Sequence, residues 1–466
     1  VEAGELTYRE QESKVFLGPW SRLTREALTL EGGVSVITLE EGAIRVVEAQ
    51  QARGTDTYPR RQIEYQAGSL NMNFSPRGEV EKIAGFDGAR LVSASDGART
   101  TVTAQRVDLD FDLSSGESAL AKALASGQSV VESVPPERPG APRPPTRVVR
   151  SETVELAMRP GGREIQEIRT HAPGQAEFIP NRTGDPRRRV EAERMWMKYG
   201  AGNQAESFTA VGVATCTLRE GEKKALPPAL TWSQGLEAAF DAKTGGLVRL
   251  EQWENFRYEE GERRARAEKA VFEAGAELVT LEGKACIWDP AGSTAADRIL
   301  LDQKSGDFSA EGRVESTRLP DRKGAPSPML STEQPMQATA GRMTATNNNR
   351  LVDYEAGAVL WQGGNRLQAE RVHIDREKRR LEARGSVVSQ FADRPKRGDA
   401  KQASKPVFTV IRAPELAYEE GQRLAHYQGG AVLARPGLEV RAREIRAFLR
   451  EGNADSSLDR AYADGE

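Results

Sequence analysis

The side chains able to do chemistry are few, and they do not converge. His171, His373 and His426 are scattered along the chain. A metal site needs ligands gathered around one point, so no metal site is expected. His373 falls on the polar face of an alternating segment and reads as a solvated strand residue. Cys216, in Ala-Thr-Cys-Thr-Leu, and Cys286, in Lys-Ala-Cys-Ile-Trp, could form a disulfide. Their strands should stand ~9–10 Å apart against a reach of ~7 Å, which favours two buried, unpaired thiols. Asp108 and Asp110 share one face of a strand pattern, as a glycosidase pair would. With 69 acidic residues in the chain, a solvated strand face is the plainer account. No Gly-rich phosphate loop opens a helix. Two basic runs, Arg187-Arg188-Arg189 and Arg394 to Lys401, sit in loop-like sequence, where they could meet lipid phosphates or simply be solvated. Asn181-Arg-Thr183 fits a glycosylation sequon and Arg397-Gly-Asp399 an adhesion tripeptide, both short enough to be chance. No catalytic residue, no cofactor and no enzyme activity are expected.

Composition points the same way. Lys and Arg (66) nearly balance Asp and Glu (69) across 466 residues, so no basic nucleic-acid surface is expected. No apolar run approaches the ~18 residues of a membrane-spanning helix. Val1 to Glu5 shows neither a basic nor an apolar leader region, so a signal or anchor segment is expected to be absent from this chain.

What must position any function is a strand pattern. Pro clusters at 134–145, 180–186, 226–228, 320–328 and 395–406 read as loops, since Pro cannot donate to a ladder. Between them apolar and polar residues alternate, as in Val107-Asp108-Leu109-Asp110-Phe111 and Val372-His373-Ile374. Ser118 to Ala125 has helix-forming composition, but its place in the repeat makes it a strand.

The repeat has two parts. An opener, a small residue, two mostly charged ones, then apolar residues at +3 and +5, begins at Ala104, Ser151, Ala192, Ala267, Ala296, Ala369 and Ala442. A closer ends on Gly127, Gly174, Gly212, Gly283, Gly312, Gly385 and Gly465. The gaps are 23, 23, 20, 16, 16, 16 and 23 residues, and three equal gaps argue against chance. Less regular closers stand at Gly32, Gly88, Gly357 and Gly430, with a decayed one near Trp253-Glu-Asn-Phe256. This gives about ten two-strand units, roughly twenty strands. A unit cannot bury its own apolar face, so stacked units must share a core. The openers supply that face: Val107, Leu109 and Phe111; Val154 and Leu156; Met195 and Met197; Phe272; Ile299 and Leu301; Val372 and Ile374; and Ile445. Small Ala-x-Gly residues should let two sheets approach closely at one level while larger residues fill a wider one, leaving a groove with an apolar floor.

The cadence resembles the OstA/LptA-like family of lipopolysaccharide-transport proteins. It is best developed in Leu367 to Asp375 with Leu381 to Val387, and in Ala296 to Val314; Tyr354 to Gly363 resembles the segment that precedes such an opener. The resemblance covers most of the chain from about residue 100. It implies an all-β, elongated, V-shaped β-jelly-roll of two facing, mainly antiparallel sheets in the periplasm. The trough would hold lipopolysaccharide or another lipid against the apolar residues named above. Its partners would be inner-membrane lipid-export components and an outer-membrane assembly protein, met through edge strands, with head-to-tail self-association and no nucleic acid. The chain departs from a single small bridge domain in length and in its Pro-rich loops. Two regions are expected, a less regular 1–220 and a more regular 221–466, the latter ending inside a repeat, one residue after Gly465. Two alternatives stay open: a structural or adhesive repeat protein with a closed core, and a β-helix acting on polysaccharide.

Overall fold

A computed structural model describes every residue except 26, 59–60, 96, 115–117, 138–142, 220–225, 320–333, 394–406, 451–457 and 466. The basic run from 394, the tripeptide at 397–399 and the boundary expected at 220/221 therefore lie outside the described residues. The chain forms two compact units, Val1–Trp253 and Glu254–Glu466.

The fold is all-β. Unit 1 contains β1 (Glu2–Arg9), β2 (Lys14–Arg25), β3 (Leu28–Gly32), β4 (Ser35–Glu40), β5 (Ala43–Tyr58), β6 (Arg61–Phe74), β7 (Val80–Ser95), β8 (Ala98–Asp112), β9 (Ala119–Val134), β10 (Thr146–Met158), β11 (Ile165–Thr170), β12 (Gly174–Ile179), β13 (Arg187–Ala192), β14 (Arg194–Tyr199), β15 (Ala205–Leu218) and β16 (Ala229–Phe240). The division between units falls within β17 (Leu247–Glu260). Unit 2 continues with β18 (Arg263–Glu273), β19 (Leu278–Asp289), β20 (Gly292–Asp302), β21 (Phe308–Arg318), β22 (Met336–Thr346), β23 (Leu351–Gln362), β24 (Asn365–Asp375), β25 (Arg380–Asp393), β26 (Val407–Glu419), β27 (Leu424–Arg435), β28 (Leu438–Leu449) and β29 (Leu458–Asp464). From β5 to β10 and from β18 to β29, consecutive strands pair antiparallel. Of the segment Ser118 to Ala125, all but Ser118 lies in β9, so its place in the repeat overrode its helix-forming composition.

Openers and closers are not separate strands. They are the midpoints of neighbouring strands, where each strand passes a corner. On β24 the inward residues are Leu367, Ala369, Val372 and Ile374; on β25 they are Leu381, Ala383, Val387, Ser389 and Phe391. The even strand skips one residue at the corner and the odd strand skips two. Register shifts record this: Gln368 pairs with Val388 and Arg371 with Arg384, so two residues of β24 face three of β25. On its other side Glu370 stands alone against Ala356 and Gly357 of β23. The same two-against-one bulge recurs at Asp297 against Gly283 and Lys284, at Pro414 against Gly385 and Ser386, and at Arg443 against Gly429 and Gly430. A bulge bends the strand that carries it.

The extra pair on the odd strand takes left-handed backbone angles. Gly283 and Lys284 have φ of 76° and 49°; Gly385 and Ser386 have 80° and 49°. Glu254 and Asn255 adopt 59° and 60°, so the decayed closer near Trp253 keeps the corner without a glycine.

Each corner divides a strand into two half-strands, which lie on two arms. The first arm's tips are the end of β9 with the start of β10, β12 with β13 and β15 with β16 in unit 1, and β21 with β22 and β25 with β26 in unit 2. The Pro-rich stretches at 180–186 and 226–228 lie between strands there, whereas those at 320–328 and 395–406 lie outside the described residues. Alanines fill the corner, including Ala285, Ala296, Ala358, Ala369 and Ala431, while Tyr354, Phe391 and Tyr427 fill the space farther out. Strands outnumber the roughly twenty expected for two reasons. The long strands β5 and β6 carry no clear opener, and three strands are broken at the corner. Thus β11 and β12 both pair with β10, and β13 and β14 both pair with β15.

Candidate functional site

The opener residues form one inward stripe in each unit. In unit 1, Val107 and Leu109 of β8 stand opposite Ala125 and Ala123 of β9, which stand opposite Val154 and Leu156 of β10. Leu156 meets Ile168 of β11, Ile168 meets Met197 of β14, and Met195 and Met197 meet Ala210 and Phe208 of β15. In unit 2, Ile299 and Leu301 stand between Leu281 and Val279 on one side and Ala310 and Phe308 on the other. Val372 and Ile374 lie between Tyr354 and Val352 and the pair Ala383 and Leu381; Ile445 faces Tyr427. Ten of the thirteen expected positions are at most 4% exposed, within one apolar cluster per unit. Phe111, Phe272 and Leu301 are half-buried, out toward the arm tips.

The two arms of a unit face each other. In unit 2 the Tyr354 hydroxyl, on the second arm, donates to Ser316 Oγ on the first, at 3.3 Å. In unit 1 Phe178 of the first arm meets Phe208 edge-on at 5.6 Å and stacks with Phe240 at 6.0 Å, both from the second. Between the arms of unit 1 lies a narrow cleft open to solvent, with room for about one water. Leu91 and Val102 line it from the first arm, and Leu120, Ala123, Leu156 and Met158 from the second. A similar narrow space in unit 2 is lined by Leu360, Leu367, Leu381 and Phe391.

The outer face takes up the titratable candidates one by one. His373 Nδ1 is 3.0 Å from Asp353 Oδ1, and His426 Nε2 is 2.9 Å from Glu444 Oε2. His171 Nε2 is 2.9 Å from Glu155 Oε2, a carboxylate that Lys122 and Arg169 also approach. Burial of Glu155 would raise its pKa, but hydrogen bonds from Arg169, His171 and Lys122 outweigh it and hold the group at about 2. Asp108 accepts two bonds of 2.7 Å from Arg106, while Asp110 is 3.4 Å from Lys82. The two carboxylates thus have separate cationic partners. Cys216 and Cys286 are both free and half-buried, more open than the buried thiols expected.

One basic run behaves differently from its expectation. Arg187 to Arg189 is strand, not loop, and opens β13. Alternation then splits it: Arg187 bonds Glu177 and Arg189 bonds Glu191, while Arg188 shares the inward parity of Val190 and Ala192. Sequence reasoning missed the polar groups inside the units, Arg147, Tyr199, Tyr427 and the Tyr354–Ser316 bond among them, because the opener cadence covers only the apolar positions.

Residues 232–307 match the family described as LptA/(LptD N-terminal domain) LPS transport protein. The match covers β16 to β20, including the openers at Ala267 and Ala296, and supports the resemblance to OstA/LptA-like lipopolysaccharide-transport proteins. A solved structure of LptH, the LptA-homologous periplasmic component of the lipopolysaccharide transport device from Pseudomonas aeruginosa, is 12% identical. It covers 32% of this chain and 92% of its own, at a TM-score of 0.24, a likeness too slight to carry an argument. No curated protein matches the chain.

Proposed function

We propose that this is a periplasmic lipid-binding protein that carries lipopolysaccharide, or a related lipid, on its apolar interior toward the outer membrane. The observation that carries this reading is the cross-strand stripe from Val107 through Leu156 to Phe208, whose Leu156 reaches the open cleft of unit 1. Acyl chains need apolar walls without directional partners, and each buried methylene is worth about 0.8 kcal/mol. A chain entering at the cleft would meet Leu120 and Met158 first and the stripe next. The match to a family of lipopolysaccharide-transport proteins over 232–307 points to the same cargo. The partners in this reading are export components of the inner membrane and an assembly protein of the outer membrane, engaged by strand addition at sheet edges, with head-to-tail self-association as a further mode. Native mass spectrometry of protein purified from bacterial envelopes tests it: co-purifying lipopolysaccharide or phospholipid is expected, and a clean apo mass would count against it.

One observation favours a second reading. Ten of the thirteen stripe residues are already sealed to 4% exposure or less, as in a structural repeat protein with a closed core. The two readings part on whether the arms open.

A further inference from the structure

Arg147 is a cation enclosed in unit 1 with no acidic partner among the described residues. It lies near the start of β10, its backbone paired with Ser133 of β9 and Phe178 of β12. The residue is 4% exposed, and its Nε has no hydrogen-bond partner. The guanidinium stands 6.0 Å from the centroid of the Phe240 ring. Among the described residues no carboxylate is paired with it; the Tyr199 hydroxyl, itself enclosed, is the group that favours its charge. Burial pulls the Arg147 pKa down, yet a guanidinium keeps its proton inside proteins. An unanswered buried charge is costly to a fold, and an anion would answer it.

The surroundings suit an anion joined to an apolar body. Phe178, Phe208 and Phe240 form the wall between the arms. On the far side of Phe178, Arg188 of β13 also has inward parity and is half-buried; Arg219 repels it and Asp185 attracts it. Pro144 and Gly245, from the tips of the two arms, close over the place: a methyl on Gly245 would stand 2.8 Å from Pro144 and 3.8 Å from Arg147 Nη2. Unit 2 repeats the pairing of a shielded arginine with an enclosed tyrosine. Arg376, just beyond β24, lies near Tyr354 and the like-charged Arg318 at the end of β21.

We propose that the mouth of unit 1 binds a phosphate-type anion against Arg147 and Tyr199, and that this anion is the headgroup of an amphiphile whose chains lie along the interior. The proposal rests on the lipid-carrying reading and names the headgroup chemistry it would select. A guanidinium gives a phosphate two parallel N–H donors, and the phenol can give a third.

The test uses the full chain with dilauroyl phosphatidic acid, dilauroylglycerol and inorganic phosphate, followed by calorimetric titration. Phosphatidic acid is expected to bind at least tenfold more tightly than dilauroylglycerol. Arg147→Met should erase that preference, leave dilauroylglycerol binding unchanged, and leave the unliganded melting temperature equal or higher, since an unanswered charge has gone. Arg147→Lys, which keeps charge without the planar fork, should retain part of the preference. Equal binding of the two lipids by the unaltered protein would overturn the headgroup site and leave the lipid reading standing. Binding of neither lipid would remove the reading beneath it. Inorganic phosphate binding as tightly as phosphatidic acid would overturn the headgroup assignment in favour of a free-anion site. A melting temperature lowered by Arg147→Met would make Arg147 a structural residue and overturn the proposal as well.

Discussion

The β-carbon of Glu370 stands over Gly385 of the neighbouring strand, 2.7 Å from where a side chain on that glycine would begin. The Gln105 β-carbon stands over Gly127 in the same way, the outer side chain of Glu193 lies over Gly212, and Glu268 and Asp297 cover Gly283 and Gly312. In these five openers the second residue is therefore the lid on the closing glycine that follows; at Ser151 the pattern fails, since Gly174 meets the Arg150 carbonyl and Ser151 rather than Glu152.

Gly385→Ala should destabilise unit 2 through two effects. The left-handed φ of 80° costs a non-glycine residue about 1–2 kcal/mol, and the new methyl collides with Glu370. Gly357→Ala provides the comparison, because its φ is also 80° but its β-carbon would meet nothing within 4 Å. Urea denaturation should show the larger loss for Gly385→Ala; equal losses would mean that the Glu370 contact has no energetic weight.

Glu155 should tie unit 1 to acid. Its native pKa of about 2 lies below the ordinary 4.5, so its stabilisation is complete above pH 4.5 and is lost as pH falls toward 2. Glu155→Gln should flatten the fall in melting temperature over that window. An unchanged acid limb would show that the bonds from Arg169, His171 and Lys122 do not favour the ionised form.

Glu420 should act in the opposite sense. Burial raises its pKa to about 7, against weaker opposition from Arg379 and Arg423. A raised acid stabilises the fold fully below about pH 4.5 and loses that contribution as pH climbs through 7. Glu420→Gln should leave unit 2 more stable than the parent at pH 8 and little changed at pH 5, as read by thermal unfolding at each pH.

Strand addition has a local test at β28. Among the described strands, its first-arm half from Leu438 to Ala442 pairs with β27, whereas β29 covers only Glu444 to Leu449. Unpaired N–H and C=O groups there invite another strand. Sedimentation should reveal concentration-dependent association that Val440→Pro weakens. Ile445 is unsuited to this test, since it is buried and its loss would disturb the core. Association unaltered by Val440→Pro would exclude this edge.

Much of the fold was legible because bulges leave a mark in sequence. Ala369, Val372 and Ile374 betray a corner by the break from period 2 to a step of three, and Gly385 marks the left-handed pair opposite. What could not be read was that opener and closer are midpoints of whole strands, since a gap of 16 residues fits either two short strands or two half-strands about a turn. The interior positions were legible in each unit as the inward side of its strands, but spacing carries no information on whether facing arms stand open or closed. Arg147 was hidden because Thr146 to Val149 is buried throughout and shows no alternation.

In the lipid-carrying reading, acyl chains lie against the interior stripe. Aspartate at Ile374 cannot decide it, because an unpaired carboxylate at a 2% exposed site would cost several kcal/mol in either a carrier or a closed core. A benzophenone side chain at Met158, on the open cleft, and at Leu301, on the half-buried rim, can decide it. Irradiation in living cells should give lipid adducts at both positions and none at the exposed Arg106. Folded protein without adducts at Met158 and Leu301 would contradict the account, and so would adducts of equal yield at Arg106.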